Sequence, residues 1–478
     1  MSEVVFPPQS IHDVFNSRAF GARQWTVFAM CFLVTALEGF DTTVIGFVAP
    51  AISAQWALPP SALAPLVGTG LAGILLGSIA GGTLADRYGR KWVGAAAIAW
   101  FALTSLGSAQ SASVMQLVVW RFATGCGVGA AMPVMSALVA EYCSDKARAS
   151  MLAATFCGFL FGAASAGFAT ASLIDSVGWR GMLMLSGVAP LLVLLGFVAR
   201  VPESPRHMLV RGCGDGAIRR TMQTIFPDLD TRGLTLDSAN RTGRTDPPRH
   251  VRGGVLSQDL RTGTLLIWAA EFCGYLVFFL VGSWLPTYLK NTGLSIAVAS
   301  QLSAMFQFGA LGGAVLFAWA VRRINVATVV AVAFGAGVAL IVALGALQGR
   351  PGYPAMVFLS GMTVGGPLIC INTISGIFYP TALRASGGGW TLAIGRLGSI
   401  VGSMLIGLIV SSHASFAIVC LSLAAPLLVA CLAMIGMRPA MARATGGIGA
   451  GLSNTPAASR AHPAKSLGTE HPTGRNAH

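Results

Sequence analysis

Twelve long apolar runs dominate this chain of 478 residues. An α-helix needs about 20 apolar residues to cross the roughly 30 Å hydrocarbon core of a bilayer, and each run approaches or exceeds that length. The runs cover residues 25–50, 62–85, 92–109, 114–140, 149–174, 181–201, 263–289, 296–320, 326–347, 354–380, 386–411 and 414–437. Because only 10% of the residues are charged, a soluble globule would expose too much apolar surface. The sequence therefore predicts an all-α integral membrane protein with twelve transmembrane helices.

The basic residues fall on alternate connections between these runs. They include Arg87, Arg90 and Lys91 after the second run, Lys146 and Arg148 after the fourth, and Arg322 and Arg323 after the eighth. The intervening connections are nearly neutral, and this asymmetry is the positive-inside rule, which predicts that both termini are cytoplasmic. The net charge of +14 is therefore an orientation signal, with attraction to anionic lipid as a secondary effect, and no nucleic-acid partner is expected.

Changes in composition divide the chain into five parts. We expect a cytoplasmic N-terminal segment, a six-helix half, a cytoplasmic linker, a second six-helix half and a disordered cytoplasmic tail, over residues 1–24, 25–201, 202–262, 263–437 and 438–478. The glycosylation pattern at Asn240 lies in the linker and should be unused. Residues 1–22 lack the pattern of a signal peptide, so the N-terminus is expected to be retained.

An internal repeat supports the division into two halves. At an offset of 236 residues, Gly73 and Gly77 align with Gly309 and Gly313, and Arg148 aligns with Arg384. Two parallel halves around a central path are typical of secondary transporters. The GxGxxG pattern at Gly68 lies inside an apolar run, where it indicates close helix packing rather than nucleotide binding.

The sequence offers no motif for an enzyme or a metal site. None of the nine cysteines forms a CxxC pair, and no HExxH or Walker A pattern is present. None of the seven histidines lies in the core of a predicted helix. We therefore expect no cofactor, no metal and no enzymatic activity.

A charge-dense hairpin, Gly82-Thr-Leu-Ala-Asp-Arg-Tyr-Gly-Arg-Lys91, joins the second and third runs. In length, position and residue order it resembles the signature loop of the major facilitator superfamily. Further motifs narrow the resemblance to the aromatic acid:proton symporters of that superfamily. These motifs are Glu38-Gly-Phe-Asp41, Arg121-Phe with Thr124-Gly and Pro133, Glu141-Tyr, Pro202-Glu-Ser-Pro-Arg206, Trp284-Leu-Pro-Thr287, Tyr379-Pro-Thr, Arg384 and Gly395-Arg396.

This resemblance implies uptake of benzoate-like or hydroxybenzoate-like anions across a bacterial inner membrane, driven by the proton gradient, by a monomer with the twelve-helix major facilitator fold. The chain departs from the family pattern at two places. Glu38 stands where the family usually has aspartate, which keeps a titratable pair with Asp41. Arg322 stands where the second half of the family tends to have an acid, so the second signature loop is degenerate.

Ionisable residues inside a bilayer are costly and usually serve function. Glu38 and Asp41 are three residues apart, so they share one helix face near mid-membrane. Two close carboxylates in a low dielectric do not readily both ionise, so we expect one of them to carry the coupled proton, with Asp41 the first candidate and Glu38 the second. The alternative is that they only form hydrogen bonds to neighbouring helices.

An imported carboxylate needs a cation, and a guanidinium binds a carboxylate through two parallel hydrogen bonds. Arg396 is the deepest arginine and the first candidate for the substrate, and Arg121 is the second. Either could instead form a structural ion pair. Aromatic walls and neutral hydrogen-bonding groups at membrane depth complete the candidate substrate-binding set, although packing or lipid contact is an alternative for each. They are Tyr275, Phe279, Trp284, Phe306, Trp390, Asn372 and Gln307.

Charged residues near the cytoplasmic face are candidates for gating or for plain interfacial anchoring. They are Asp86, Arg87, Arg90, Glu141, Arg148 and Arg384. Glu271 lies outside the family pattern, and the sequence leaves open whether it is a second proton site or a neutral structural group.

Other functions compatible with the helices are a symporter for another small organic anion or a sugar, an exporter, and an aromatic-acid chemoreceptor. The glycine-rich fifth run, from Gly158 to Gly167, lacks the proline-bearing motif common in drug antiporters, which disfavours export. A receptor would bind aromatic acids saturably without accumulating them.

Overall fold

The computed structural model describes residues 9–231, 234–236, 254–380, 383–411 and 415–453. The linker arginines at positions 241, 244, 249 and 252, the pattern at Asn240 and residues 454–478 of the expected tail lie outside these ranges.

The described chain is almost entirely helical. Its helices are α1 Ile11–Ser17, α2 Ala22–Trp56, α3 Ala64–Tyr88, α4 Arg90–Ala109, α5 Val114–Tyr142, α6 Asp145–Arg200, α7 Pro205–Val210, α8 Asp215–Ile225, α9 Gln258–Asn291, α10 Ile296–Ala320, α11 Val326–Ala346, α12 Tyr353–Phe378, α13 Arg384–Ser411 and α14 Phe416–Ser453. Two short strands, β1 Gln9–Ser10 and β2 Leu234–Thr235, pair in parallel. Three-residue and four-residue 3-10 helices at Gly254–Leu256 and Pro60–Leu63 complete the elements.

Ten of the helices are long and apolar enough to cross a membrane, counted over the described ranges. The 56-residue α6 contains two of the predicted runs. It is interrupted at Gly178, whose φ of 65° lies outside the helical region and is readily adopted only by glycine. The path of the chain therefore changes between residues 177 and 179.

Glycines allow these helices to approach backbone to backbone. A Cβ atom on Gly77 of α3 would lie 2.0 Å from the carbonyl oxygen of Cys126 on α5. The same contact recurs 236 residues later, where a Cβ on Gly313 of α10 would lie 2.3 Å from the carbonyl oxygen of Met362 on α12. Such contacts replace the hydrophobic driving force that is missing between helices in lipid. The sequence repeat therefore corresponds to a repeated packing geometry.

One end of the helix bundle, called the basic end below, contains the α3–α4 connection with Asp86, Arg90 and Lys91. The first turn of α2 meets the last turn of α5 at this end, because Gln24 Nε2 donates to the Tyr142 carbonyl at 2.6 Å. The long helices form a first set, α2–α6, and a second set, α9–α14, and several of the contacts between the two sets lie toward the other end. There, Gly46 packs on Ser283, Gly68 on Met404, and Gly167 on Ala304. The two sets are thus closed against each other on the side away from the basic end.

The segments outside the predicted membrane runs contain short helices at the basic end. The N-terminal segment includes α1, and the linker includes α7 and the amphipathic α8, which buries Ile218, Met222 and Ile225. Phe15 of α1 is buried against Tyr142 and Phe226. The tail boundary at residue 438 is also too early, since α14 continues to Ser453. Short amphipathic helices are missed when only membrane-length runs are counted.

We predict that Gly77→Ala destabilises the protein, because α3 and α5 must separate to accept the new Cβ. Overpacking of this kind costs about 1–3 kcal/mol. Thermal unfolding of the detergent-solubilised protein would show a lower midpoint. Gly82→Ala on the same helix is the matched control, because a Cβ there meets nothing within 4 Å. Equal midpoints for both variants would contradict the packing described above.

Candidate functional site

A buried ion pair joins α2 and α5. Asp41 and Arg121 are 1% and 3% exposed, and Arg121 Nη2 lies 3.0 Å from Asp41 Oδ2. Arg121 also donates from Nη1 to Asp41 Oδ1 at 3.1 Å and from Nη2 to the Asp41 carbonyl at 2.9 Å. The guanidinium therefore holds both the side chain and the backbone of residue 41.

Ser105 of α4 completes the coordination of this carboxylate. Its hydroxyl donates to Asp41 Oδ1 at 2.7 Å and lies 2.6 Å from the hydroxyl of Ser186 on α6. Four helices of the first half thus meet at Asp41. Because a charged partner and hydrogen bonds together offset the cost of burial, Asp41 and Arg121 form a neutral pair that has little reason to exchange partners.

A second polar centre lies in a cavity of about 70 Å³ between the two six-helix sets. Its lining comes from α5, α6, α9, α12 and α13 and consists of Met132, Phe156, Phe159, Leu160, Tyr275, Phe278, Phe279, Gly365, Leu368, Ile369 and Arg396. Arg396 is the charged member of this lining, and its Nη2 lies 3.2 Å from Met132 Sδ. The cavity thus offers one guanidinium within apolar and aromatic walls.

The aromatic wall is rigidly packed. The rings of Tyr275 and Phe279 stack with centroids 6.0 Å apart, and Phe278 meets Phe279 edge to face at 5.4 Å. Phe306 is fully buried and stacks on Phe278 at 5.7 Å, so it supports the wall from behind. Flat rings at these separations suit the face and edge contacts of an aromatic ligand.

Two further carboxyls are fully buried near this cavity. Both oxygens of Glu38 on α2 and both oxygens of Glu271 on α9 lack a hydrogen-bond partner among the described residues. Glu38 is within electrostatic range of Arg396, which belongs to the other set of helices, but no ion pair shorter than 4 Å joins them among the described residues. Glu271 packs behind Tyr275, where both side chains occupy the space that a Cβ on Gly395 would need. The two buried carboxyls thus differ in their surroundings: Glu38 has a cation within electrostatic range, and Glu271 has none among the described residues.

The two carboxyls of α2 do not share one environment, as the expected coupling between them would require. Asp41 binds Arg121 within the first half, whereas Glu38 faces Arg396 of the second half. Their spacing of three residues puts them on one side of α2, but the neighbouring helices supply each with its own arginine.

The charged residues of the signature hairpin form a network at the basic end. Arg90 binds Asp86 at 2.7 Å and Glu141 at 3.0 Å, and its Nη1 donates to His207 Nδ1 at 2.6 Å. Burial, together with the charge of Arg90, lowers the pKa of His207, so a neutral ring accepts this bond. Glu203 accepts from the backbone N–H of Arg90 at 2.9 Å, at the start of α4.

The other predicted gating residues do not join this network. Arg148 pairs with Asp145 at 2.6 Å and donates to the Ala140 carbonyl at 3.2 Å. Arg87 lies over the ring of Tyr88 at 5.3 Å. Arg384 is exposed at the start of α13. The ion pairs found among the described residues at the basic end lie within the first half and the segments packed on it.

Several predicted substrate-binding residues lie away from the cavity lining. Trp284 is buried, and its indole N–H donates to the Ser403 carbonyl at 3.3 Å. Trp390 is 54% exposed, faces Trp268 at 6.0 Å and is not part of the cavity lining. Gln307 is buried beside Gly282, and Asn372 is partly exposed. Of the candidate set, the structure brings Arg396, Tyr275 and Phe279 together around one cavity.

Sequence reasoning missed several residues that shape these sites. Phe156 and Phe159 on α6, Met132 on α5 and Phe278 on α9 line the cavity, and Ser105 on α4 binds Asp41. Apolar residues in apolar runs carry no signal that separates a cavity wall from a lipid-facing surface. Ser105 is a small polar residue at membrane depth, which could have been singled out as a helix-to-helix hydrogen-bonding group.

We predict that Asp41→Asn destabilises the protein by about 3–5 kcal/mol, because it leaves the buried Arg121 without its counter-charge. The double variant with Arg121→Gln should recover part of this loss. Thermal unfolding at constant pH measures both effects. Glu271→Gln is the matched control: an amide resembles a neutral carboxylic acid, so its midpoint should equal that of the parent. A midpoint for Asp41→Asn that also equals the parent's would mean that the pair is not the structural unit described above.

Comparison with known proteins identifies a matching family and similar transporters. The sequence profile described as Major Facilitator Superfamily matches residues 31–403. The chain is 35% identical to the 4-hydroxybenzoate transporter PcaK of Pseudomonas aeruginosa, over 83% of this chain and 88% of that protein. It is 34% identical to the gallate transporter of Pseudomonas putida, over 92% and 97%. The solved structure of the proton:xylose symporter XylE superposes with a TM-score of 0.66 at 19% identity, covering 87% of this chain and 96% of that one.

Proposed function

Because the chain belongs to the major facilitator superfamily, we propose that it is a proton-coupled symporter that imports aromatic carboxylates by alternating access. The observation that carries this proposal is the position of Arg396. It is the cation of a cavity with aromatic walls between the two six-helix sets, and a buried carboxyl, Glu38, faces it.

The proposed topology has twelve membrane-spanning helices. The ten candidate spans become twelve if α6 crosses twice, with its turn at Gly178, and if α13 also crosses. The two halves would then cover residues 25–201 and 263–437. The basic end would face the cytoplasm by the positive-inside rule, together with both termini. The structure, closed on the far side, would correspond to a state that faces inward.

The proposed substrate is a small aromatic carboxylate of the benzoate and hydroxybenzoate class. The relatives named as 4-hydroxybenzoate and gallate transporters support this class. In the cavity, the carboxylate would bind the Arg396 guanidinium through two parallel hydrogen bonds, and the ring would lie against Tyr275 and Phe279. Both groups of the ligand would thus meet a matching surface within one cavity.

The proposed coupling residue is Glu38 rather than Asp41, which was the first candidate from sequence. Arg396 retains its charge in the membrane, so it needs one anion at every stage of the cycle. In the empty carrier that anion would be ionised Glu38. When the substrate carboxylate binds Arg396, Glu38 would lose its partner and take up a proton. Asp41 already has Arg121 and the Ser105 hydroxyl as partners within its own set of helices.

In the proposed cycle, this exchange of partners decides when the cavity can close. With the substrate bound and Glu38 protonated, the cavity has no net charge, so closing it to water carries no penalty for an unpaired ion. A carrier with only the proton or only the substrate would have to bury one unpaired charge. Release of the substrate on the inner side would let Glu38 lose its proton and bind Arg396 again.

The direct test is accumulation in proteoliposomes. Labelled benzoate, monohydroxybenzoates and dihydroxybenzoates should accumulate under an inward proton gradient and fail to accumulate with a protonophore. Sugars tested in the same assay should not accumulate. Saturable binding of the aromatic acids without accumulation would instead indicate a receptor, and accumulation of sugars alone would contradict the proposed substrate class.

We predict that Glu38→Gln impairs proton-driven accumulation of the substrate but leaves substrate exchange intact. The amide cannot lose a proton, so accumulation driven by a proton gradient should fall at least about tenfold. Exchange of labelled for unlabelled substrate at equal pH should persist, because that reaction needs no change in protonation.

Glu271→Gln is the matched control for this prediction, since it changes another fully buried carboxyl in the same way. Its accumulation should equal that of the parent. Parent-like, gradient-driven accumulation by Glu38→Gln would show that the coupled proton is carried elsewhere, with Asp41 the next residue to test.

A further inference from the structure

A second, larger cavity lies at the basic end, outside the central site. Its volume is about 690 Å³, and it is enclosed by the α1–α2 turn, the first turn of α2, the last residue of α6 and the end of α8. Its lining residues are Arg18, Ala19, Gly21, Ala22, Arg23, Thr26, Arg200, Ile225, Phe226, Pro227 and Asp228. Three segments that are separate in sequence, residues 18–26, Arg200 and residues 225–228, thus line one open cavity.

The charge of this cavity is strongly positive. Three arginines line it, Arg18, Arg23 and Arg200, against one carboxylate, Asp228. None of the three arginines forms an ion pair with Asp228 or with another described residue. Arg18 lies over the ring of Phe226 at 5.7 Å, which directs its guanidinium along the cavity wall. The cavity lining therefore carries three guanidinium groups and one carboxylate, an excess of two positive charges.

The cavity lies at the ends of two membrane-length helices, α2 and α6. Arg23 is the second residue of α2 and Arg200 the last of α6, and these helices pack together one to two turns further in, where Met30 Sδ lies 3.6 Å from the position of a Cβ on Gly196. Trp25 is 49% exposed at the same level and packs against Phe20, as aromatic residues do at a membrane surface. Beyond this level, α2 and the end of α6 expose leucines: Leu33, Leu192 and Leu195.

We propose that this cavity binds the phosphate headgroup of an anionic phospholipid, such as phosphatidylglycerol, from the leaflet at the basic end. Guanidinium groups match phosphate oxygens through paired hydrogen bonds. A free phosphate ion would share this chemistry but would not use the apolar side of α2 and α6. A lipid satisfies both features, because its acyl chains continue along the exposed leucines while its headgroup neutralises the arginines.

Such a lipid would link two parts of the protein. Arg23 and Arg200 belong to membrane-length helices, whereas Arg18 and Phe226 belong to the small assembly of α1 and α8. The bound headgroup would hold this assembly against the first six-helix set. The role does not depend on the substrate or on proton coupling, so its test is independent of the transport assays.

Native mass spectrometry of the detergent-solubilised full chain tests the proposal. Titration with phosphatidylglycerol and with phosphatidylcholine gives a dissociation constant for the first bound lipid. The parent should prefer phosphatidylglycerol. The triple variant Arg18→Gln, Arg23→Gln, Arg200→Gln should bind it about 100-fold more weakly, at about fivefold for each charge removed. A matched triple variant of exposed arginines at the same end, Arg211→Gln, Arg220→Gln, Arg261→Gln, should bind as the parent does.

Asp228→Asn keeps the test decisive even if the triple variant folds poorly. It removes the one carboxylate of the lining and should tighten phosphatidylglycerol binding by about two- to fivefold. Unchanged or weaker binding by Asp228→Asn would overturn the proposal. Equal binding of the two lipids by the parent would also overturn it. So would a competition experiment in which inorganic phosphate displaces bound phosphatidylglycerol as effectively as added phosphatidylglycerol does.

Discussion

The constraint on which this structure depends is that every charge buried in the membrane must be neutralised, by a partner or by a proton. Five ionisable groups lie deep in the bundle, and they differ in how their charge is neutralised. Asp41 and Arg121 neutralise each other within the first half. Glu271 meets no described cation and is placed to be a neutral acid. Glu38 and Arg396 belong to different sets of helices and are within electrostatic range of each other. In the proposed transport cycle, proton coupling would follow from that last arrangement, because a substrate bound to Arg396 would leave Glu38 without a cation.

Close packing of the helices provides the second requirement, a rigid framework on each side of the cavity. In both halves, pairs of glycines bring one helix onto the backbone of another with the same register, 236 residues apart. Rigid halves transmit a change at the cavity to the ends of the bundle, because packed interfaces do not deform continuously. The basic end contributes a further assembly of short helices, which is held by Phe15 against Tyr142, by the hydrogen bond of Arg90 to His207 and by that of Asn16 to Asp145.

The sequence was sufficient to predict the membrane class, the positions of the long helices and the repeat. These depend on composition and on spacing along the chain, which a single sequence contains. It also identified Arg396, Tyr275 and Phe279, because an arginine and aromatic residues at membrane depth are chemically distinctive. It did not show that Arg121 pairs with Asp41 and leaves Glu38, three residues away, without an ion pair. That outcome depends on how α2 is rotated against α5 and α13, and the spacing of residues on α2 alone does not determine it.

Two further differences between the sequence-based prediction and the structure concern Trp390 and α8. Trp390 is an aromatic residue in a membrane helix, but whether it faces the cavity or the lipid depends on the rotation of α13. The buried side of α8, with Ile218, Met222 and Ile225, follows a helical spacing that was present in the sequence. The charged and turn-forming residues of the linker as a whole conceal this helical spacing.

The most direct measurement of the central claim is infrared difference spectroscopy of the reconstituted protein on addition of benzoate. If the substrate displaces Glu38 from Arg396, a carbonyl band of a protonated carboxylic acid should appear, and it should be absent in the Glu38→Gln variant. A substrate-induced spectrum without such a band, or one with the band unchanged in Glu38→Gln, would contradict the exchange of partners at Arg396.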